Sequence, residues 1–198
     1  MRTKEGNKER DILEAAITVF AENGYHNSKI SKIAEVAGVA TGSVYVYFKN
    51  KETILLQIFE ELWGKLYSEF DNISATTSLS PVEKLDSMID LVFDGFIENP
   101  SLAVVFVNEQ NHLIRTNEVG FTNYYEKFLD QGEKVIREGI DKGIFSYDID
   151  MQIFRSYIFG ALRNLLHQWA RDSKKYQLNK IRQSVKFLTK YGVMKKEG

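Results

Sequence analysis

Cysteine is missing from the chain altogether, which excludes disulfides, thiolate zinc sites and a cysteine nucleophile. Only 2 of its 198 residues are proline, so little stands in the way of long helices. No apolar run approaches the roughly 18 residues that a membrane-spanning helix needs. The opening stretch, Met1 to Arg10, is polar and charged with no apolar segment behind it, unlike a signal peptide. No membrane partner is expected, and a reducing cytoplasm is the expected compartment. Charge of one sign is also scarce. The net charge is -1, and residues 1–52 carry 8 basic and 7 acidic side chains. A basic footprint for nucleic acid must therefore be local, built from Lys29, Lys32, Lys49 and Lys51 on one face. Catalytic equipment is thin as well. The three histidines, His26, His112 and His167, lack the spacing of a metal site, and no glycine-rich phosphate loop appears. His112 beside acidic neighbours could make a general base, but a lone histidine is more often structural. Neither an enzyme nor a cofactor is expected.

Hydrophobic residues make up 43% and charged residues 27%, enough for a sizeable core. Apolar residues recur at helical spacing almost everywhere, so the chain reads as all-α with about nine helices. Ile12, Ala15, Ala16, Val19 and Phe20 mark one buried face of a first helix, from about Lys8 to Asn23. Gly24 closes it, and Tyr25 can fold back on the last turn. Ser28 can cap a short second helix that ends near Val36 or Ala37. Gly38 makes the turn to a third, from about Thr41 to Phe48. Asn50 caps a long fourth helix. Ser80-Pro81-Val82-Glu83 is a strong start for a fifth, which Pro100 stops near Asn99. A sixth is expected over 101–110 and a seventh over 117–142, closed by Gly143. Asp148 or Asp150 caps an eighth to about Arg171, and a ninth covers about Tyr176 to Tyr191.

Two short helices joined by a tight glycine turn fit a helix-turn-helix, whose second helix enters the DNA major groove. The residues from Ile33 to Glu52 (IAEVAGVATGSVYVYFKNKE) resemble the signature of the TetR family of transcriptional regulators. The approach F-A-E-N-G-Y, Phe20 to Tyr25, fits too. Two departures stand out. Ala40 occupies the position where the family usually has a capping serine, and Ser43 replaces a threonine.

The resemblance implies roles by position. Thr41, Gly42 and Tyr45 would face base edges. Ser43, Tyr47 and Lys51 would contact phosphates. Ser28, Lys29 and Ser31 would touch the DNA backbone from the second helix. It also implies a head over residues 1–52, an effector and dimerisation domain over 53–198, and a double-stranded operator as partner. The homodimer would form through the last two helices, which carry Ile153, Phe154, Tyr157, Ile158, Leu165 and Trp169, then Leu178, Ile181, Val185 and Leu188.

The middle of the chain is dense in aromatics. Trp63, Phe93, Phe96, Phe106, Tyr124, Tyr125 and Phe128 are candidates to line an apolar effector cavity. Asn111, Arg115, Arg163 and His167 would supply its polar contacts, the arginines suiting phosphate or carboxylate. His26, the stretch Val44–Glu52 and the run Ser101–Val105 are similar to the FadR-like branch of the family. Glu138-Gly139-Ile140 with Gly143 fits the same branch. That branch senses long-chain acyl-CoA and represses fatty-acid degradation genes. Two other readings stand beside it: a regulator of efflux or detoxification that senses a drug-like ligand, and a helical ligand carrier without DNA binding.

Overall fold

The computed structural model describes residues 8–194 apart from 117, 118 and 173, with the side chains of 114, 116 and 119–124 also outside the description. Among the described residues nine helices follow one another: α1 (Lys8–Asn23), α2 (Ile30–Val36), α3 (Thr41–Tyr47), α4 (Lys51–Ala75), α5 (Pro81–Ile97), α6 (Pro100–Thr116), α7 (Val119–Asp141), α8 (Met151–Arg171) and α9 (Leu178–Val193). Among the described residues the one β feature is an isolated antiparallel bridge between Phe145 and Met194. The all-α reading holds.

Local chemistry places most of the borders. Asn50 Oδ1 accepts from the Thr53 amide at 2.9 Å, and Thr53 Oγ1 accepts in return from the Asn50 amide. This reciprocal cap satisfies two of the amides that a helix start leaves unpaired. Ser80 and Glu83 repeat the arrangement at α5, with Pro81 in the first turn. Asp150, rather than Asp148, caps α8 through the Ile153 amide. Ser28 does not cap α2: Lys29 holds the cap position and no side chain accepts there. Pro100 separates α5 from α6 but opens α6, which runs to Thr116, six residues past the expected end.

Gly38 turns α2 into α3 at φ +68, a left-handed conformation costly for any residue with a Cβ. Val39 N donates to Ala34 O across that turn at 3.0 Å. Ile33, Ala34, Val44 and Phe48 bury their side chains beneath it, against the inner face of α1. Each large apolar side chain so buried contributes about 1.5–3 kcal/mol.

In the larger part of the chain α4 packs along α7, α5 along α7 and α9, and α6 along α8. α1 lies on both α4 and α6, so the head rests on two helices of the body. Polar clasps tie the bundle from outside. Buried Lys84 donates to Ser74 O and to Glu138 Oε2, both at 2.8 Å. The Lys142 and Lys84 ammonium groups hold the Glu138 carboxyl below its usual value. Arg182 and Lys186 of α9 pair with Asp90 and Asp94 of α5. Gly139 lies directly under the Phe145 ring: a Cβ there would sit 2.0 Å from a ring carbon, so the close approach requires glycine.

Candidate DNA-binding head and effector cavity

The recognition face follows from the pitch of α3. Val44 and Phe48 are buried against α1, so Thr41, Gly42, Tyr45 and Tyr47 must point away from the core, and all four are exposed. Tyr45 is 56% exposed and its neighbour Val46 79% exposed, an unusual display of apolar surface on a helix of 7 residues. A Cβ on Gly42 would meet no protein atom, so nothing inside the chain demands glycine there. Ser43 is half-buried, while Ser31, Lys29 and Lys49 are exposed. Ala40 holds the α3 cap position, and no side chain accepts the amides of its first turn.

Two residues expected to touch phosphate have other tasks. Ser28 is buried, and its hydroxyl donates to Gly24 O at 2.7 Å and Val19 O at 3.2 Å. It fastens the α1–α2 turn and has no hydroxyl proton left for a phosphate. Lys51 Nζ donates to the carbonyls of Tyr25, His26 (3.0 Å) and Ser28 (3.1 Å). It also sits 4.4 Å from the centroid of the Tyr25 ring. An ammonium has three N–H donors, and all three are engaged within the head. Burial pulls the Lys51 pKa down, partly offset by Glu109, and burial pushes the Tyr25 phenol up.

The same turn meets the body. The His112 ring of α6 stands 5.3 Å from the Tyr25 ring and 5.6 Å from the His26 ring. Asn111, one residue earlier, faces α8. With its amide oriented to satisfy both partners, Asn111 Oδ1 accepts from the two terminal nitrogens of Arg163 at 3.2 and 3.3 Å. Arg163 also donates to Val107 O at 2.8 Å. Through His112 α6 therefore meets the α1–α2 turn of the head, and through the adjacent Asn111 it meets a groove.

That groove is lined by Asn111, Tyr125, Glu126, Arg155, Ser156 and Arg163, and has a volume of about 740 Å³. Leu129, Glu133, Met151, Arg155 and Phe159 form a wall it shares with a second, narrow apolar cavity of about 80 Å³. The apolar cavity runs between Phe70 of α4, Met88 and Val92 of α5, Phe128 of α7, Ile158 and Leu162 of α8, and Thr189 of α9. Arg155 stands over the junction, paired with Glu126, Asp130 (3.2 Å) and Glu133 (3.5 Å) of α7. Beside them, burial and the Glu126 charge push the Tyr125 phenol up to about 12. His167 lines a smaller recess on the other side of Arg163. Among the described residues no group of three or more His, Asp or Glu side chains is placed to hold a metal ion.

Of the residues expected to bind an effector, Asn111, Tyr125, Phe128 and Arg163 line these cavities. Trp63, Phe93, Phe96 and Phe106 are packed into the core, each no more than 3% exposed, and line none of them. Arg115 is exposed near the end of α6, away from these walls. The Tyr124 side chain lies outside the described residues. Aromatic density pointed to the core. The cavity walls it overlooked are aliphatic: Leu85, Met88, Ile89 and Val92 keep helical spacing along one face of α5.

α8 and α9 leave apolar side chains in the open. Ile153 and Tyr157 of α8, with Phe187, Leu188 and Tyr191 of α9, are each about 60% exposed or more. No helix among the described residues is long and apolar enough to cross a membrane.

Comparison with known proteins agrees with this layout. Residues 12–58 match the family described as bacterial regulatory proteins, tetR family, and residues 59–192 match the YsiA-like protein C-terminal region. The chain is 33% identical to the fatty acid metabolism regulator protein of Bacillus subtilis, covering 96% of this chain and 97% of that protein. The structure of the fatty acid degradation regulator FadR from Bacillus halodurans superposes with a TM-score of 0.83, at 30% identity over 96% of this chain and 98% of that one. The FadR of Bacillus subtilis in complex with stearoyl-CoA superposes with a TM-score of 0.80, at 33% identity over 92% and 98%. By its two matching regions and these relatives, the chain belongs to the tetR family of bacterial regulatory proteins, with a C-terminal region of the YsiA-like kind.

Proposed function

We propose that the protein is a transcriptional repressor of fatty-acid metabolism genes that leaves its operator on binding a long-chain acyl-CoA. The observation that carries this reading is the adjoining pair of cavities. An apolar chamber adjoins a polar groove that holds Arg155 and Arg163, and the two share the wall residues Leu129, Glu133, Met151, Arg155 and Phe159. A hydrocarbon tail suits the chamber, and a phosphate-bearing head suits the arginines. A relative that superposes over most of the chain is known in complex with stearoyl-CoA.

In this reading residues 1–52 are the DNA-binding head and residues 53–198 the sensing and dimerising body. A helix as short as α3 grips few base pairs, so two heads on a two-fold axis are needed for useful affinity. The exposed apolar stripe on α8 and α9 is where the second copy packs. Thr41, Gly42 and Tyr45 read bases, while Ser43, Tyr47, Ser31 and Lys29 hold phosphates. The dimer works in the cytoplasm and performs no catalysis.

The effector acts by competition. Phosphates entering the groove compete with Glu126 and Asp130, both half exposed or more, for the Arg155 guanidinium. Contacts at Arg163 and Asn111 move α6, and α6 carries His112 against the head. The two recognition helices then no longer match both half-sites, and affinity falls. The test is a gel shift on the protein's own upstream DNA with increasing palmitoyl-CoA. Release at micromolar ligand is expected. A complex that survives saturating palmitoyl-CoA refutes the effector assignment.

A further inference from the structure

Trp63 carries an unexplained polar atom. Its side chain is 2% exposed, and among the described residues its indole Nε1 has no hydrogen-bond partner. Buried N–H groups are almost always paired, because stripping one of water without compensation costs stability. The indole is enclosed by rings: Phe128 at 4.8 Å, Tyr125 at 5.4 Å, Phe106 at 5.5 Å and Phe159 at 6.1 Å between centroids. Three of these rings are cavity walls. Phe128 lines the apolar chamber, Tyr125 the polar groove, and Phe159 both. The Trp63 indole ring therefore lies one ring behind the place where chamber and groove meet. A second orphan lies close in the fold. Gln110 is fully buried, both its amide atoms lack a partner among the described residues, and it stands one helical turn beyond Phe106 on the same face of α6.

We propose that the Trp63 indole N–H is the anchor for the thioester carbonyl of the acyl-CoA effector. The inference rests on the acyl-CoA reading above and adds what the junction recognises. In a ligand whose tail fills the chamber and whose head lies in the groove, the acyl carbonyl falls at the junction. A neutral donor in an aromatic enclosure suits a neutral carbonyl oxygen. A free carboxylate would lose its hydration there against a single hydrogen bond, so fatty acids are disfavoured and thioesters accepted. Rotation of the half-buried Phe159 or Tyr125 ring opens the path between ligand and N–H. Trp63 is thus a specificity-determining residue that distinguishes an acyl group from a bare alkyl chain.

The test compares palmitoyl-CoA with its S-hexadecyl-CoA thioether, which has the same chain length and no carbonyl oxygen. Both are titrated into full-length wild type and Trp63→Phe. The substitution should weaken palmitoyl-CoA roughly tenfold, the worth of one desolvated hydrogen bond, and leave the thioether within about twofold. Equal weakening of both ligands overturns the proposal and makes Trp63 a packing residue. A measurement on wild type needs no variant to fold. The chain has 2 tryptophans, so ¹⁵N spectra show two indole N–H signals. The Trp63 signal should move downfield with palmitoyl-CoA and not with the thioether. A signal that stays put, or moves alike with both, overturns the proposal. If wild type binds neither ligand, the acyl-CoA reading itself fails and the anchor falls with it, a result distinct from binding without carbonyl discrimination.

Discussion

Replacing Lys51 by methionine separates two tasks that a lysine at the start of α4 can perform. Methionine keeps an unbranched apolar stem and loses the ammonium. In the structure that ammonium joins three carbonyls of the α1–α2 turn, from residues 23 to 26 positions earlier in the chain. Hydrogen bonds to a charged group are worth about 1.5–3 kcal/mol each, and the three belong to one ammonium group, so their losses do not add fully. The cation–π contact with Tyr25 contributes about 0.5–1 kcal/mol more. Water can rehydrate the outward-facing His26 carbonyl, which brings the expected loss to about 3 kcal/mol. For a chain of this length that lowers the melting midpoint by roughly 6–12 °C. Scanning calorimetry reads the midpoint, and a salt series of operator binding, taken well below it, reads the ionic contacts. A lysine on phosphate contributes about one unit to the salt slope. The expected result is a lower midpoint with an unchanged slope. A midpoint within about 2 °C of wild type, with the slope reduced by one, would show that Lys51 serves DNA and that the clamp is incidental.

Tyr45→Ala should weaken operator binding about 10- to 100-fold and leave thermal stability within about 0.5 kcal/mol, because the ring lies in the open. Fluorescence anisotropy with labelled operator and a melting curve check both halves. Ile89→Trp should fill the apolar chamber at a packing cost of about 1–3 kcal/mol, giving a repressor that holds DNA in the presence of palmitoyl-CoA. Normal release in a gel shift would mean that the tail lies elsewhere. Phe187→Glu combined with Tyr191→Glu should give a monomer by sedimentation velocity and weaken operator binding about a hundredfold or more, since the second half-site is lost. Glu138→Gln should cost about 1–3 kcal/mol at pH 7 by leaving the buried Lys84 ammonium with neutral acceptors and no counter-charge. The Glu138 carboxyl is held below its usual value, so its contribution is full above the unfolded pKa, near 4.3, and disappears as pH falls through the lowered folded value. Denaturant titrations from pH 7 down to pH 3 should therefore show the wild type and the variant converging.

Helix borders were legible where they depend on neighbouring residues. Asn50 with Thr53, Ser80 with Glu83, and Asp150 all cap through atoms three positions away, a range that sequence reading covers. α6 shows the limit. Its polar run from Asn108 to Arg115 suggests an end, yet the helix continues. Asn111 and the Val107 carbonyl meet Arg163, and His112 meets Tyr25, so polarity there reflects tertiary partners. Ser28 and Lys51 carried the right chemistry for phosphate, but their acceptors are carbonyls brought near by the α1–α2 turn. The cavity was the least legible part. Aromatic spacing reports what packs, whereas a void forms where side chains of α4, α5, α7, α8 and α9 fail to meet. Gly139 is an intermediate case: the motif around it was visible, but the Phe145 ring that makes it necessary was not.

The length of α4 has a consequence for how such a protein changes over time. Its first turns carry Ile54 and Leu55 into the core that supports the head, and its far part gives Phe70 to the apolar chamber. Sixteen residues of helix separate Ile54 from Phe70, about 24 Å. The other walls of that chamber come from α5, α7, α8 and α9, whereas α3 packs on α1 and α2. Substitutions that reshape the sensor therefore leave the reading head in place. One scaffold can be re-tuned to new metabolites through aliphatic exchanges on α5 and α8 while its operator stays the same.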